Sequence, residues 1–283
     1  MQQQQQQYAY QPQQQQQAFP GTAVYVTQQM GMTPQFPQAQ VPVQQPAMVM
    51  GCMDRRHVKF CWLEGMAAFV YVWVVAAARA NGSTAVEFAS FAYGAIIVGT
   101  MFAFCGATGN PAILLAGAFS RRIPVLAFLG AIICQLIGGL VAAVYVWYGL
   151  NGGTFVSMIP VLMPKNPQWV GFLAELGGTF IVIVVYLVSE GHCHKGARPI
   201  VIGLVIAAVG WAIAPITTSC LNPWYALCTS IVSGTWTSDT WIYYAGPFLA
   251  SILGLLAIVL VGLRTRNSNF WLEYQAPARE KVR

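Results

Sequence analysis

Beyond residue 60 the chain alternates long apolar blocks with short polar joints. Six blocks, at about 60–79, 88–105, 123–148, 169–189, 199–215 and 241–263, approach the length of a bilayer span, for which about 20 apolar residues suffice. Their apolar runs are continuous rather than alternating. Strands of a membrane barrel would alternate and be about half as long, so these blocks predict helices. Two further apolar stretches are too short to cross: "NPAILLAGAF" at 110–119 and "NPWYALCTSI" at 222–231. Proline is well tolerated at the first position of a helix, and asparagine just before it can cap the free N–H groups. The pattern predicts half-helices over 111–119 and 223–231, each starting at its Asn-Pro.

The apolar blocks repeat. Glu64 opens the first span in "EGMAAF" and Glu175 opens the fourth in "ELGGTF". Asn110-Pro111 follows the first glutamate by 46 residues, and Asn222-Pro223 follows the second by 47. Each half holds three spans, and an odd number forces the second half to insert upside down. The expected fold is an all-α membrane protein of six transmembrane helices and two re-entrant half-helices, arranged as an inverted 3+3 repeat. The half-helices then enter from opposite faces and meet N-terminus to N-terminus near the midplane. Each N-terminus carries about half a positive charge, so their meeting repels protons and cations. The amides of Asn110 and Asn222 are expected to face the lumen and donate to passing water.

Composition agrees with lipid as the main solvent. The chain is 57% hydrophobic and only 8% charged, against about 25% charged in soluble domains. Its net charge of +6 does not read as a nucleic-acid surface, because the basic residues sit between blocks and at the ends. Arg55, Arg56, Lys59, Arg121, Arg122, Lys195, Arg198, Arg264 and Arg266 fall on one side of a six-span topology, and only Arg79 and Lys165 on the other. That bias predicts an integral, multi-pass protein with both termini in the cytosol. Three regions follow: a disordered Gln/Pro-rich cytosolic tail over 1–52, a channel domain over 53–266 and a cytosolic tail over 267–283. Residues 1–51 contain no Lys, Arg, Asp or Glu, and such a segment buries too little apolar surface to fold alone. Asn81-Gly82-Ser83 is a glycosylation sequon in a loop expected outside the cell or in a lumen, where closeness to the membrane argues against its use.

Little in the chain suggests catalysis or a cofactor. Seven cysteines, Cys52, Cys61, Cys105, Cys134, Cys193, Cys220 and Cys228, show no paired metal spacing, and most read as small buried apolar residues. "GHCHKG" at 191–196 reads as a solvated loop, with metal binding or pH sensing as the alternative. Trp62, Trp147 and Trp241 read as interfacial anchors. An intramembrane carboxylate is costly and hence functional or structural by default. For Glu64 and Glu175 a proton relay is one reading. Their symmetry with the Asn-Pro pairs favours the other: each accepts hydrogen bonds from the irregular loop leading into a half-helix.

These motifs together resemble the aquaporin (major intrinsic protein) family over about residues 55–265. The resemblance rests on Glu175–Phe180 with its weaker copy Glu64–Phe69, on "GNPA" at 109–112, on Pro215 and Thr217, and on "WIYYAGP" at 241–247. It implies a homotetramer with one pore per subunit, open to water and small neutral solutes and using no cofactor. The paired pore motifs would be Asn110, Pro111 and Ala112, and Asn222, Pro223 and Trp224. The resemblance also implies a four-residue selectivity filter: Tyr93, Gly210 (with Trp211 selected by a one-residue shift), Ser219 and Tyr225. Several positions depart from the family pattern. Tyr225 stands where the family usually has arginine, Thr108 where it usually has histidine, and Trp224 where it has alanine. Ala226 replaces the aspartate of the glycerol branch, and Tyr243-Tyr244 fits the water branch. Water is therefore the first solute, with glycerol, urea and ammonia open. Cys220, near the expected pore, is a candidate for mercurials or for simple packing. Two alternatives stand beside the channel. One is a non-conducting structural protein of the same fold, occluded by Trp224. The other is a secondary transporter, which lacks a charged coupling site apart from the glutamates.

Overall fold

The computed structural model describes residues 55–80, 85–120, 122–150, 158–194 and 196–261. The segment 1–52, the sequon at Asn81, Arg121, Lys195, Arg264, Arg266 and the tail 267–283 lie outside the described residues. The described residues form eight α-helices and no strand. They are α1 (Arg55–Ala80), α2 (Ala85–Ala103), α3 (Pro111–Phe119), α4 (Val125–Val144), α5 (Gln168–His192), α6 (Arg198–Thr217), α7 (Pro223–Ser233) and α8 (Ile242–Leu260). A π-helical stretch, Tyr145–Leu150, continues α4. Five of these helices are long and apolar enough to cross a membrane: α1, α4 with its extension, α5, α6 and α8. The sixth, α2, is apolar over Phe88–Ala103.

Some element ends differ from the apolar blocks. Helix α1 starts five residues before its block, because Arg55, Arg56 and Lys59 extend the helix into an exposed first turn. Helix α2 stops at Ala103, where Cys105 and Gly106 turn left-handed, at φ 56° and 90°. Helix α3 covers the expected residues, and α7 runs two residues further, to a left-handed Gly234. At 9 and 11 residues, both are about half the length needed to cross.

The pairing of helices expresses the repeat. Helix α1 lies along α4, and α5 lies along α8. Helix α2 joins the halves by packing on α6. Each half-helix packs on the last span of the opposite half, α3 on α8 and α7 on α4. Lipid offers no hydrophobic drive between helices, so close packing must hold them together. Glycines make that possible. A Cβ at Gly65 would lie 2.9 Å from the Cys134 carbonyl oxygen, and one at Gly94 would collide with the Gly203 backbone. On the outside, Leu126, Leu129, Ile133, Ile137 and Val141 form an exposed apolar stripe along α4, as a lipid-facing surface requires. Trp62, Trp169 and Trp241 are also exposed, whereas Trp147 is half-buried.

Candidate functional site

The two half-helices meet through their cap residues. Asn110 Oδ1 accepts the Ala112 N–H at 2.9 Å, and Asn222 Oδ1 accepts the N–H groups of Trp224 and Tyr225 at 3.0 and 3.4 Å. Each amide nitrogen then reaches into the other repeat. Asn110 Nδ2 donates to the Leu221 carbonyl at 2.8 Å, and Asn222 Nδ2 donates to the Gly109 carbonyl at 3.1 Å. One asparagine thus caps its own helix and ties down the loop before the other. Both are buried.

The loops entering the half-helices are irregular, and their N–H groups need acceptors. Glu64 Oε2 accepts the Gly109 N–H at 2.9 Å, and its carboxylate also takes the Thr108 N–H and the Gln135 amide, the latter at 2.8 Å. Glu175 accepts the Thr217 hydroxyl at 2.6 Å, the Cys220 N–H at 2.9 Å and the Leu221 N–H at 2.8 Å. Both carboxylates are fully buried. Gly109 has φ 61°, and a Cβ there would lie 2.6 Å from the Ala68 nitrogen, so the first loop needs glycine for both conformation and space. The second loop places non-glycine residues in the same region: Thr218, Ser219 and Leu221 have φ of 56°, 55° and 53°. Such conformations cost about 1 kcal/mol or more each, and the contacts around the loop must offset that cost.

Arg79 supplies part of that offset. It lies in the last turn of α1 and is 5% exposed. Its Nη2 donates to the Thr218 carbonyl at 2.7 Å and also to the Ser219 carbonyl. The guanidinium carbon lies 4.9 Å from the centre of the Tyr225 ring. The loop is therefore gripped from two directions, its N–H groups by Glu175 and its carbonyls by Arg79. Sequence reading placed Arg79 among the loop charges that set topology. No local pattern distinguishes an arginine that leaves a helix end for water from one that turns inward.

The four filter candidates fall at two levels. Gly210 and Ser219 are neighbours: a Cβ at Gly210 would lie 3.0 Å from Ser219 Oγ and 3.2 Å from Ser90 Cβ. Trp211 is exposed on the outer surface, and Gly210 is the one of the two that lies against Ser219. Tyr225 donates its hydroxyl to the Met158 carbonyl at 2.6 Å. Tyr93 sits elsewhere, with its hydroxyl accepting from Asn110 Nδ2 at 3.1 Å. The α2 residue beside Gly210 and Ser219 is Ser90, one turn earlier. Tyr71, which the sequence did not single out, links the levels. Its ring centre is 4.4 Å from that of Tyr93 and 5.9 Å from that of Tyr225.

Trp224 is half-buried and points between α4 and α8. Its indole N–H donates to the Ile132 carbonyl at 3.0 Å, and its ring meets Phe248 edge-on at 6.3 Å. The occluded-pore alternative finds no support in this placement. Cys220 is buried, with its thiol on the Asn222 carbonyl at 3.1 Å. Among the described residues, no group of three or more His, Cys, Asp or Glu could hold a metal. Thr108 and Ser219 keep buried hydroxyls without a protein partner, as do Nε and Nη1 of Arg79.

A membrane-crossing helical bundle, with two half-helices meeting N-terminus to N-terminus, defines the architecture of a transmembrane channel. Comparison with known proteins agrees. The family model "Major intrinsic protein" matches residues 54–258, so the chain belongs to the major intrinsic protein family of membrane channels. It is 26% identical over 211 residues to aquaporin PIP1-3/PIP1-4 of Zea mays, covering 66% of this chain and 71% of that one. It is 28% identical over 179 residues to glycerol uptake facilitator protein-like 6 of Lactiplantibacillus plantarum, covering 60% and 83%. The crystal structure of the Plasmodium falciparum aquaglyceroporin shares the fold. Its TM-score is 0.65 at 22% identity, covering 74% of this chain and all of that one.

Proposed function

We propose that this protein is a passive channel for water and small uncharged solutes that excludes protons and ions. The observation that carries the reading is the reciprocal capping of the two opposed half-helices by Asn110 and Asn222. Two positive helix ends at one point are a barrier to cations that needs no charged side chain. Asn222 keeps one amide hydrogen for an oxygen in the lumen, since only one is used by Gly109.

Buried polar atoms without protein partners support a wet path. Thr108 Oγ1 lies in the loop between α2 and α3, and Ser219 Oγ in the loop between α6 and α7. Buried polar groups left unpaired cost about 1–3 kcal/mol each, and ordered water is the usual partner in such places. Water is the first solute, because Tyr93, Tyr71 and Tyr225 crowd the route with aromatic rings. Glycerol, urea and ammonia are the solutes to compare. In this reading Glu64 and Glu175 are structural, each holding the loop before a half-helix. The charge bias sets both termini in the cytosol, and the working unit is a homotetramer with one pore per subunit.

Stopped-flow light scattering of proteoliposomes, with separate osmotic gradients of an impermeant solute, glycerol and urea, tests the proposal. Water permeability well above that of empty vesicles, without proton leak, is expected. Permeability no higher than empty vesicles for water and every solute would overturn it.

A further inference from the structure

We infer that Arg79, at the end of α1, supplies the cationic hydrogen-bond donor of this channel's constriction. There it recognises small neutral solutes by their oxygen atoms. The inference deepens the proposed function and rests on it.

Four observations converge on Arg79. First, the side chain is buried rather than directed to water, although it stands at a helix end where it could have reached an aqueous face. Burying a guanidinium costs several kcal/mol unless its donors are used. Second, its terminal nitrogen is fixed on the carbonyls of Thr218 and Ser219, and its central carbon lies over the Tyr225 ring, 4.9 Å from the ring centre. These contacts hold the group in one place, as a selectivity element must be held. Third, Nε and Nη1 are buried and have no protein acceptor. An arginine with unused buried donors is incomplete, and an oxygen from water or solute completes it. Fourth, the neighbouring loop residue Ser219 carries a buried hydroxyl that also lacks a partner. Its oxygen borders the space that a Cβ at Gly210 would fill, 3.0 Å away. The unsatisfied guanidinium and the unsatisfied hydroxyl thus belong to the same loop region, beside a glycine where any side chain would press on Ser219 and Ser90.

Chemistry defines what this site accepts. Three unused N–H groups on a cation, one on Nε and two on Nη1, favour an acceptor oxygen, as in water, a polyol or a urea carbonyl, and the charge repels ammonium and metal cations. Tyr225 offers a ring face instead of a second cation, so its apolar surface lies against the guanidinium and not against water. The arginine side chain arises 146 residues before Tyr225 in the chain, and the bundle brings the two together by setting the end of α1 against the loop before α7.

The test uses the full-length protein in proteoliposomes, with Arg79→Ala, Arg79→Lys and the double variant Arg79→Ala/Tyr225→Arg. Arg79→Ala should raise the glycerol-to-water permeability ratio about fivefold, the effect of one ordinary hydrogen bond, and should admit methylammonium. The double variant, which returns a guanidinium to the constriction from α7, should bring the ratio back toward wild type. A packing role alone would not be rescued in that way. An unchanged ratio in Arg79→Ala, or a double variant no different from it, would overturn the inference. If Arg79→Ala does not assemble, Arg79→Lys decides. It keeps the charge but loses the fork of donors, so its ratio should also rise, and an unchanged ratio rejects the site. If wild type conducts nothing, the proposed function falls. The placement of Arg79 is then decided by thermal unfolding in detergent of Arg79→Lys, Tyr225→Leu and their combination. Non-additive losses support the contact, and additive ones overturn it.

Discussion

Tyr93 holds the amide that a transit water would need. Its hydroxyl takes one hydrogen of Asn110 Nδ2 at 3.1 Å while Leu221 takes the other at 2.8 Å. Asn110 therefore has no free donor, unlike Asn222. Tyr93→Phe removes the hydroxyl with little change of shape and frees that N–H for water. We expect water permeability to rise by about fivefold, as one neutral hydrogen bond no longer competes. Stopped-flow shrinkage rates at equal protein density check this, and an unchanged rate would show that Tyr93 does not stand in the water path. The pairing was not legible in the sequence. The family resemblance implies Tyr93 only as a filter position, and which neighbour its hydroxyl meets depends on how α2 is rotated against α6 and on the depth of the first loop.

At the scale of elements, each half-helix depends on a carboxylate from a span of its own repeat. Glu175 accepts three hydrogen bonds from Thr217, Cys220 and Leu221, in a loop with three left-handed non-glycine residues. Glu175→Gln replaces an acceptor-only group with one that presents N–H to the N–H groups of the loop. A loss of about 3 kcal/mol is expected, typical of a broken buried charged hydrogen-bond set. Thermal unfolding in detergent, followed by tryptophan fluorescence, measures it. A melting temperature equal to wild type would mean the loop holds itself. Much at this scale was readable from local pattern. Block length and continuity predicted the spans, and Pro111 and Pro223 predicted where the half-helices start. The left-handed turn at Cys105 that ends α2 early, and the π-helical continuation of α4, had no local signal.

For the whole molecule, the question is whether the path is open. Trp224 packs between α4 and α8, against Ile132 and Phe248. Removing it should therefore loosen the bundle without opening a route. Trp224→Ala is expected to leave water permeability within about twofold of wild type while costing about 2 kcal/mol of stability, as a large-to-small change at a half-buried site does. A large gain in permeability over a silent wild type would restore the occluded reading. The same packing explains the repeat. Each half-helix leans on the last span of the opposite half, so neither half completes its own half-helix site.

The sequence alone determined the solvent, the spans, the inverted repeat and the two half-helices. The spans and half-helices depend on residues near one another in the chain, through hydrophobic length and helix capping, and the repeat shows in the matching intervals of 46 and 47 residues from glutamate to Asn-Pro. The tertiary structure decided the rest. It turned Arg79 inward onto carbonyls 139 and 140 residues away, set Tyr93 on Asn110 and aimed Trp224 between α4 and α8. A side chain's partner across a helical bundle follows from rotation, tilt and depth of rigid helices. Packing of all eight sets those quantities, and no local run of residues encodes them.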